Sequence, residues 1–148
     1  MRKLIFSTLL IIPLLYGKVL LPQENLIAES LVVKGKFREY YRLDNNSYLV
    51  SGPSVVTVYA RLAVPKNDKG VHSFSIKSFL SDSPESTHQF HKKVDASVSS
   101  LLHPMHRYTK SAKVEIEIPM GEFMLSIENE SNIGKPILIR VIEKRDKE

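Results

Sequence analysis

Val56-Thr57-Val58-Tyr59-Ala60-Arg61-Leu62-Ala63-Val64 is the stretch that decides the fold class. Val56, Val58, Ala60, Leu62 and Val64 recur at every second position, the period of a strand with one buried face, and Pro65 with Lys66-Asn67-Asp68-Lys69-Gly70 ends the run in a polar turn. The same alternation extends both ways. Upstream, Phe37, Tyr41 and Leu43 share one side, with Arg38, Tyr40 and Arg42 on the other. Asn45-Asn46-Ser47 supplies turn residues, Tyr48-Leu49-Val50 starts a return strand, and Ser51-Gly52-Pro53 breaks it.

Downstream, His72, Phe74 and Ile76 share a face as far as Asp82-Ser83-Pro84, and His88, Phe90, Lys92 and Val94 form a weaker strand. Between Asp95 and Lys110 the period fades, and Ser97, Ser99, Ser100 and Pro104 mark a long connection. Alternation returns in Ala112, Val114, Ile116 and Ile118. Pro119-Met120-Gly121 reads as a turn, Phe123, Leu125 and Ile127 as the next face, and Ile137, Ile139 and Val141 as the last. A helical stripe is confined to a short piece around Glu24 to Glu29, outside the N-terminal apolar run. Roughly seven or eight short strands separated by Gly, Pro and Asn turns predict an all-β domain, a two-sheet antiparallel sandwich of jelly-roll or immunoglobulin-like type. Without cysteine or tryptophan, the Cys, Trp, Cys signature of antibody domains is missing.

The first residues have a different grammar. Arg2 and Lys3 precede the apolar run Leu4 to Leu15, then Tyr16-Gly17, the order of a secretory signal peptide. A signal helix at 1–17, a lead-in at 18–36, a sandwich at 37–143 and a charged tail at 144–148 are the expected divisions. The run is short for a spanning helix, which needs about 20 apolar residues, so export to the periplasm or beyond is expected. An uncleaved signal tethering the chain to the inner membrane is the alternative. Lys18 stands where a lipoprotein would carry its acylated cysteine, and no membrane span is expected after cleavage.

The chain has 148 residues, a net charge of +5 and no cysteine, which removes disulfides, thiolate metal sites and thiol nucleophiles. Export without disulfides fits a bacterial envelope protein. Once Arg2 and Lys3 are set aside, 19 bases face 16 acids. They are interspersed, so no nucleic-acid stripe is formed.

Three segments carry a family resemblance: Glu39-Tyr40-Tyr41-Arg42-Leu43, Ile118-Pro119-Met120-Gly121-Glu122-Phe123-Met124-Leu125-Ser126-Ile127, and Ile137-Leu138-Ile139-Arg140-Val141. Over Phe37 to Ile142 the pattern resembles bacterial secreted jelly-roll domains of the pre-peptidase C-terminal and carbohydrate-binding type. The resemblance implies a sandwich and transfers no functional residue. The chain lacks tryptophan, the common sugar-stacking residue of such modules.

For function, Tyr40, Tyr48, Tyr59 and Arg61 are expected to project from the faces opposite the apolar ones as a ligand or partner surface, since Tyr and Arg combine contact area with a polar tip. His88, His91, His103 and His106 repeat a three-residue spacing and are the candidate metal ligands, one of each pair converging with Asp95 or Glu85. Glu115 with Glu117, and Glu128 with Glu130, would stand about 6.6 Å apart on a strand face, within the range of inverting glycosidases. Half-exposed strands alternate in this way without catalysing anything. There is no Gly-x-Ser-x-Gly elbow and no phosphate-cradling glycine loop. The expectation is therefore an exported binding module that is not an enzyme, has no cofactor, and meets an envelope protein or, as the alternative, a carbohydrate or other small ligand. Histidine-dependent metal binding is the second alternative.

Overall fold

The structure, a computed structural model, describes residues 17–24, 26–81, 83–131 and 134–145. The signal helix expected at the N-terminus lies outside the described residues apart from Gly17. Ten strands make the fold: β1 (Lys18–Leu20), β2 (Ala28–Val33), β3 (Lys36–Arg42), β4 (Asn45–Pro65), β5 (Val71–Leu80), β6 (Ser86–Asp95), β7 (Ser99–Ser100), β8 (His106–Thr109), β9 (Ala112–Asn129) and β10 (Ile137–Arg145). All pairings are antiparallel, and no helix occurs among the described residues. The piece around Glu24 to Glu29 leads into β2 instead of forming a helix, its partner being β3 across a tight turn. Lys34 and Gly35 both have positive φ (52° and 76°), the conformation of a two-residue hairpin loop whose twist matches its strands.

The sheet closes on itself. β9 runs along β4 from Asn45↔Glu128 to Ala60↔Ala112, and β8 continues along β4 from Ala63↔Tyr108. β9 also pairs with β5, β5 with β6, and the end of β6 with β8, completing a circuit of five strands. Where the sequence predicts two separate packed sheets, a closed barrel with added strands is found. β10 joins the circuit on β4, and β3, β2, β7 and β1 extend from it.

The barrel bends where the sequence suggested chain reversals. Ser51-Gly52-Pro53 and Pro119-Met120-Gly121 lie across from each other inside two continuous strands. Between Gly52↔Gly121 and Ser54↔Ile118, the single residue Pro53 opposes Pro119 and Met120. Prolines donate nothing to a ladder, and this unequal count is a bulge that bends both strands. The corner is tight: a Cβ on Gly52 would overlap the carbonyl oxygen of Pro119 and meet that of Ile118. Glu143 fastens β10 to it, its Oε2 accepting from the Ser51 N–H at 2.9 Å, while the Ser54 hydroxyl donates to the Ser51 carbonyl at 2.7 Å.

Two apolar clusters follow from the alternation. The main core gathers Val56, Val58, Ala60, Leu62 and Val64 with Phe74, Ile76, Val114, Ile118, Leu125, Ile127, Ile137 and Ile139, among others. The second lies on the other face of β4 and β10, where Leu31, Tyr40, Ala63, Val98, Tyr108 and Leu138 are all buried. Val98 and Tyr108 belong to the segment expected to be only a connection. That segment contains β7 and β8 and covers the outer face, so the adjoining part of the sheet is buried on both sides.

Candidate functional site

Three of the four residues predicted to form a binding surface line one recess. Tyr40, Tyr59 and Arg61 meet Arg38, Arg140, Ser111, Val33 and Ile142 around an open cavity of about 230 Å³. Register brings them together. Tyr59 stands directly opposite Arg140 between β4 and β10, while Arg61 lies two positions further along the same face of β4, opposite Leu138. β3 contributes Arg38 and Tyr40, again two positions apart.

Arg61 is the fixed member, only 6% exposed. Its Nε–H donates to the Tyr40 hydroxyl at 3.2 Å and its Nη1 to the Thr109 carbonyl at 2.9 Å. The neighbouring Leu62 N–H donates to the Thr109 side-chain oxygen at 3.0 Å, tying the same turn to β4. The guanidinium is thus oriented by groups distant in sequence. Arg38, Tyr59, Arg140 and Ser111 are half-buried and line the same recess. The contributions of Arg38, Arg140 and Ser111 were not foreseen. Arg140 was legible only as the polar residue between Ile139 and Val141, and its place beside Tyr59 depends on strand register.

Tyr48 does not join them. It is 1% exposed and belongs to the main core, because β4 begins at Asn45 and its even-numbered positions face inward from Asn46 to Val64. Burial pushes its hydroxyl up to about 12. The adjacent buried Asn46 donates from Nδ2 to the Arg42 carbonyl at 3.1 Å and to the Tyr48 hydroxyl at 3.5 Å. A polar pair is thereby accommodated inside the barrel.

The histidines fall into separate settings. His88 and His91 point to opposite faces of β6, where His88 Nε2 lies 3.0 Å from the Ser78 hydroxyl and His91 Nδ1 lies 2.6 Å from that of Ser73. His103 and His106 stack with ring centroids 4.9 Å apart. They flank a cavity of about 80 Å³ with Glu29, Arg42 and Leu138 among its walls. No group of three or more His, Asp or Glu among the described residues is arranged to hold a metal ion.

Glu29 instead organises a hydrogen-bonded cluster. Its Oε2 accepts from the Tyr108 hydroxyl at 2.6 Å and lies 2.8 Å from His103 Nδ1. Burial pushes the Glu29 carboxyl up, but hydrogen bonds from Tyr108, His103 and Ser100 outweigh it and hold the carboxyl below its ordinary 4.5. A carboxyl lowered in the folded state adds stability above its unfolded pKa, and that increment is lost as pH falls through the folded value. The stability of the wild type to urea is therefore expected to fall from about pH 4.5 downward more steeply than that of Glu29→Gln. Equal acid slopes in the two proteins would remove this role from Glu29.

The carboxylate pairs are placed as surface groups. Glu115 and Glu117 are exposed, with Glu115 lying 3.6 Å from Lys113. Glu128 and Glu130 flank Lys77 at 3.8 and 3.2 Å, together with Glu85 at 3.4 Å. A lysine between them replaces the gap that an inverting pair keeps for water.

No protein-family model matches the chain, and no curated protein matches it. Among solved structures, it is similar to an exo-β-1,3-galactanase from Phanerochaete chrysosporium, with a TM-score of 0.42 and 10% identity, over 86% of this chain and 29% of that one. A GH115 4-O-methyl-α-glucuronidase with specificity for decorated arabinogalactans gives a TM-score of 0.40 and 12% identity, over 89% of this chain and 16% of that one. The chain spans less than a third of either protein. Both are named as enzymes, contrary to the expectation of a chain that is not an enzyme. Likeness at this level assigns neither a reaction nor a substrate to this chain.

Proposed function

We propose that the chain is an exported recognition domain of the bacterial cell envelope and that it takes a small polar ligand, the size of one sugar ring, in the Tyr40, Tyr59 and Arg61 recess. The observation that carries this reading is the convergence of two tyrosines, three arginines and a serine on one concavity. At about 230 Å³ it falls below the range of roughly 300–1,000 Å³ usual for drug-sized ligands, which suits a single ring or a terminal group. A half-buried tyrosine offers such a ring an apolar face together with a hydroxyl. Concavity favours a small ligand or glycan over a protein partner, which would press a broader and flatter surface against the sheet.

A protein partner is the second reading, and it has its own locus. Leu101, Leu102 and Met105 are 73%, 68% and 67% exposed on the loop between β7 and β8. Export, cleavage near Gly17 and residence in the periplasm or outside the cell belong to the same proposal, with an uncleaved tether as the alternative. Intact mass of the protein recovered from its native envelope distinguishes the two, since a retained signal leaves Met1 in place.

The test of the recess is direct. Titration of the purified chain against neutral and acidic mono- and disaccharides is expected to give saturable heat with at least one of them. Tyr59→Ala is expected to abolish that heat without moving the melting temperature. If no sugar binds, or if binding survives Tyr59→Ala, the recess is not the site.

A further inference from the structure

The geometry points to an oxyanion as the group this recess receives: a carboxylate, sulfate or phosphate carried on the ligand, anchored by Arg61 and clamped by Arg38 and Arg140. The inference rests on the recess reading above and adds to it the charge of the ligand. It begins from an imbalance. Arg61, Arg38 and Arg140 line one small cavity whose other walls are Tyr40, Tyr59, Ser111, Val33 and Ile142, none of them acidic. Three positive charges face the same space.

Proteins ordinarily offset such crowding with carboxylates, and this chain has acids available. They are used elsewhere. Among the described residues, the carboxylates within ion-pairing distance of a base serve Lys77, Lys113, His72 and His103, and no arginine is paired. The Asp95 carboxyl feels the charge of Arg61, yet its Oδ1 accepts from the Ser97 N–H at 3.0 Å and the Ser97 hydroxyl at 2.6 Å. Glu39, next to Arg38 in sequence, accepts from the Tyr41 hydroxyl at 3.5 Å.

Arg61 makes the imbalance costly. A buried cation without a counter-charge is unfavourable unless something compensates for its lost hydration. A guanidinium carries five N–H donors, and the Tyr40 hydroxyl and Thr109 carbonyl account for two. Nη2 makes no hydrogen bond to a described residue. Bonds at Nε and Nη1 fix the orientation of the fork in a residue that lines the recess. Guanidinium forks match planar and tetrahedral oxyanions with paired, charge-assisted hydrogen bonds. The Tyr40 hydroxyl accepts from Arg61 and retains its own proton to donate.

The experiment titrates the full chain with matched pairs of ligands at low salt: glucuronic acid against glucose, and glucose 6-sulfate and glucose 6-phosphate against the same glucose. Free sulfate and free phosphate form separate arms. The expected result is at least tenfold tighter binding of one or more acidic sugars than of glucose, weakened severalfold when salt is raised to about 0.5 M. Tight binding by the free anion alone would assign the oxyanion to a mineral source; tight binding only by the acidic sugar would assign it to a glycan.

Arg38→Gln and Arg140→Gln alter half-buried side chains that make no hydrogen bond to a described residue, so they test the clamp without disturbing the anchor. Each is expected to reduce the acid-over-neutral preference by about tenfold at unchanged melting temperature. Arg61→Lys keeps the charge and loses the fork, and is expected to reduce it further. Equal binding of glucose and the acids, lost on Tyr59→Ala, overturns the oxyanion inference and leaves the recess standing. No binding by any of these ligands overturns both.

Discussion

Replacing Gly52 with alanine is expected to lower the free energy of unfolding by about 3 kcal/mol, at the upper end of what overpacking ordinarily costs. The atoms a methyl group would meet are main-chain carbonyl oxygens of Pro119 and Ile118, in the opposing strand of the same bend. A flexible side chain can swing aside, whereas those carbonyls move only if β9 shifts against β4. That shift would disturb the Glu143 bond to the Ser51 N–H next to it, leaving a 5% exposed carboxylate short of a donor. Gly70→Ala is the matched control, because a Cβ there has only the Asp68 Oδ1 at 3.6 Å, an ordinary contact. Urea midpoints for the two variants and the wild type decide the matter. A loss below about 1 kcal/mol in Gly52→Ala, the scale of a generic substitution, would mean that the corner opens easily.

Leu31→Ala should cost about as much, roughly 3 kcal/mol, for a different reason. Leu31 is fully buried on the outer face, between Arg38 of β3 and Ser100 of β7 in the ladder, and packs in the cluster with Tyr40, Val98, Tyr108 and Leu138. Removing its side chain leaves a cavity under the segment from Ala96 to Thr109 and weakens the packing that holds that segment to the sheet. Amide hydrogen exchange is expected to accelerate across that segment before it does in β4 or β9. Uniform acceleration over the whole chain would show instead that the second cluster and the main core unfold together. Since Tyr40 and Thr109 orient Arg61, ligand affinity should fall in Leu31→Ala as well, even though Leu31 does not line the recess.

The alternation at Val56 to Val64 is what made the all-β class legible, and those five even-numbered residues do face the main core. Period alone also located most strands after residue 37. It could not reveal what covers the opposite face. Arg61 and Ala63 sit at odd positions of β4 and are buried as well, Ala63 packing with Val98 and Tyr108 of the segment from Ala96 to Thr109 and Arg61 bonded to its Thr109 carbonyl. The run Ile137-Leu138-Ile139, apolar at three successive positions, is the trace that two-sided burial leaves in the sequence. Tyr48 was misplaced because Asn45-Asn46-Ser47 resembles a turn, while Asn46 is an inward-facing strand residue satisfied by the Arg42 carbonyl. Proline and glycine at 52–53 and 119–121 mark a local departure from regular pairing in either case. Whether the chain reverses or merely bends depends on the residues across the ladder.

The recess was half legible for the same reason. Tyr40, Tyr59 and Arg61 could be recognised by type and outward parity, but Arg38 and Arg140 become their neighbours only through the pairing of β3, β10 and β4. Glu29 gave no signal at all, since its partners lie 74 and 79 residues away.

Closure of the five-strand circuit has a consequence for the crowded space in which such a domain would work. A β protein at high concentration is at risk of recruiting its own copies through unpaired backbone along its outermost strands. Here the path of strands ends in β7, with two residues, and the side strand β1 has three. The longest strands, β4 and β9, spend their hydrogen bonds on each other and on the rest of the circuit. Among the described residues, open ladder edge remains along β6 from Ser86 to Lys92 and along β2 outside Leu31 and Val32, so self-templating would have to begin there and not on the longest strands.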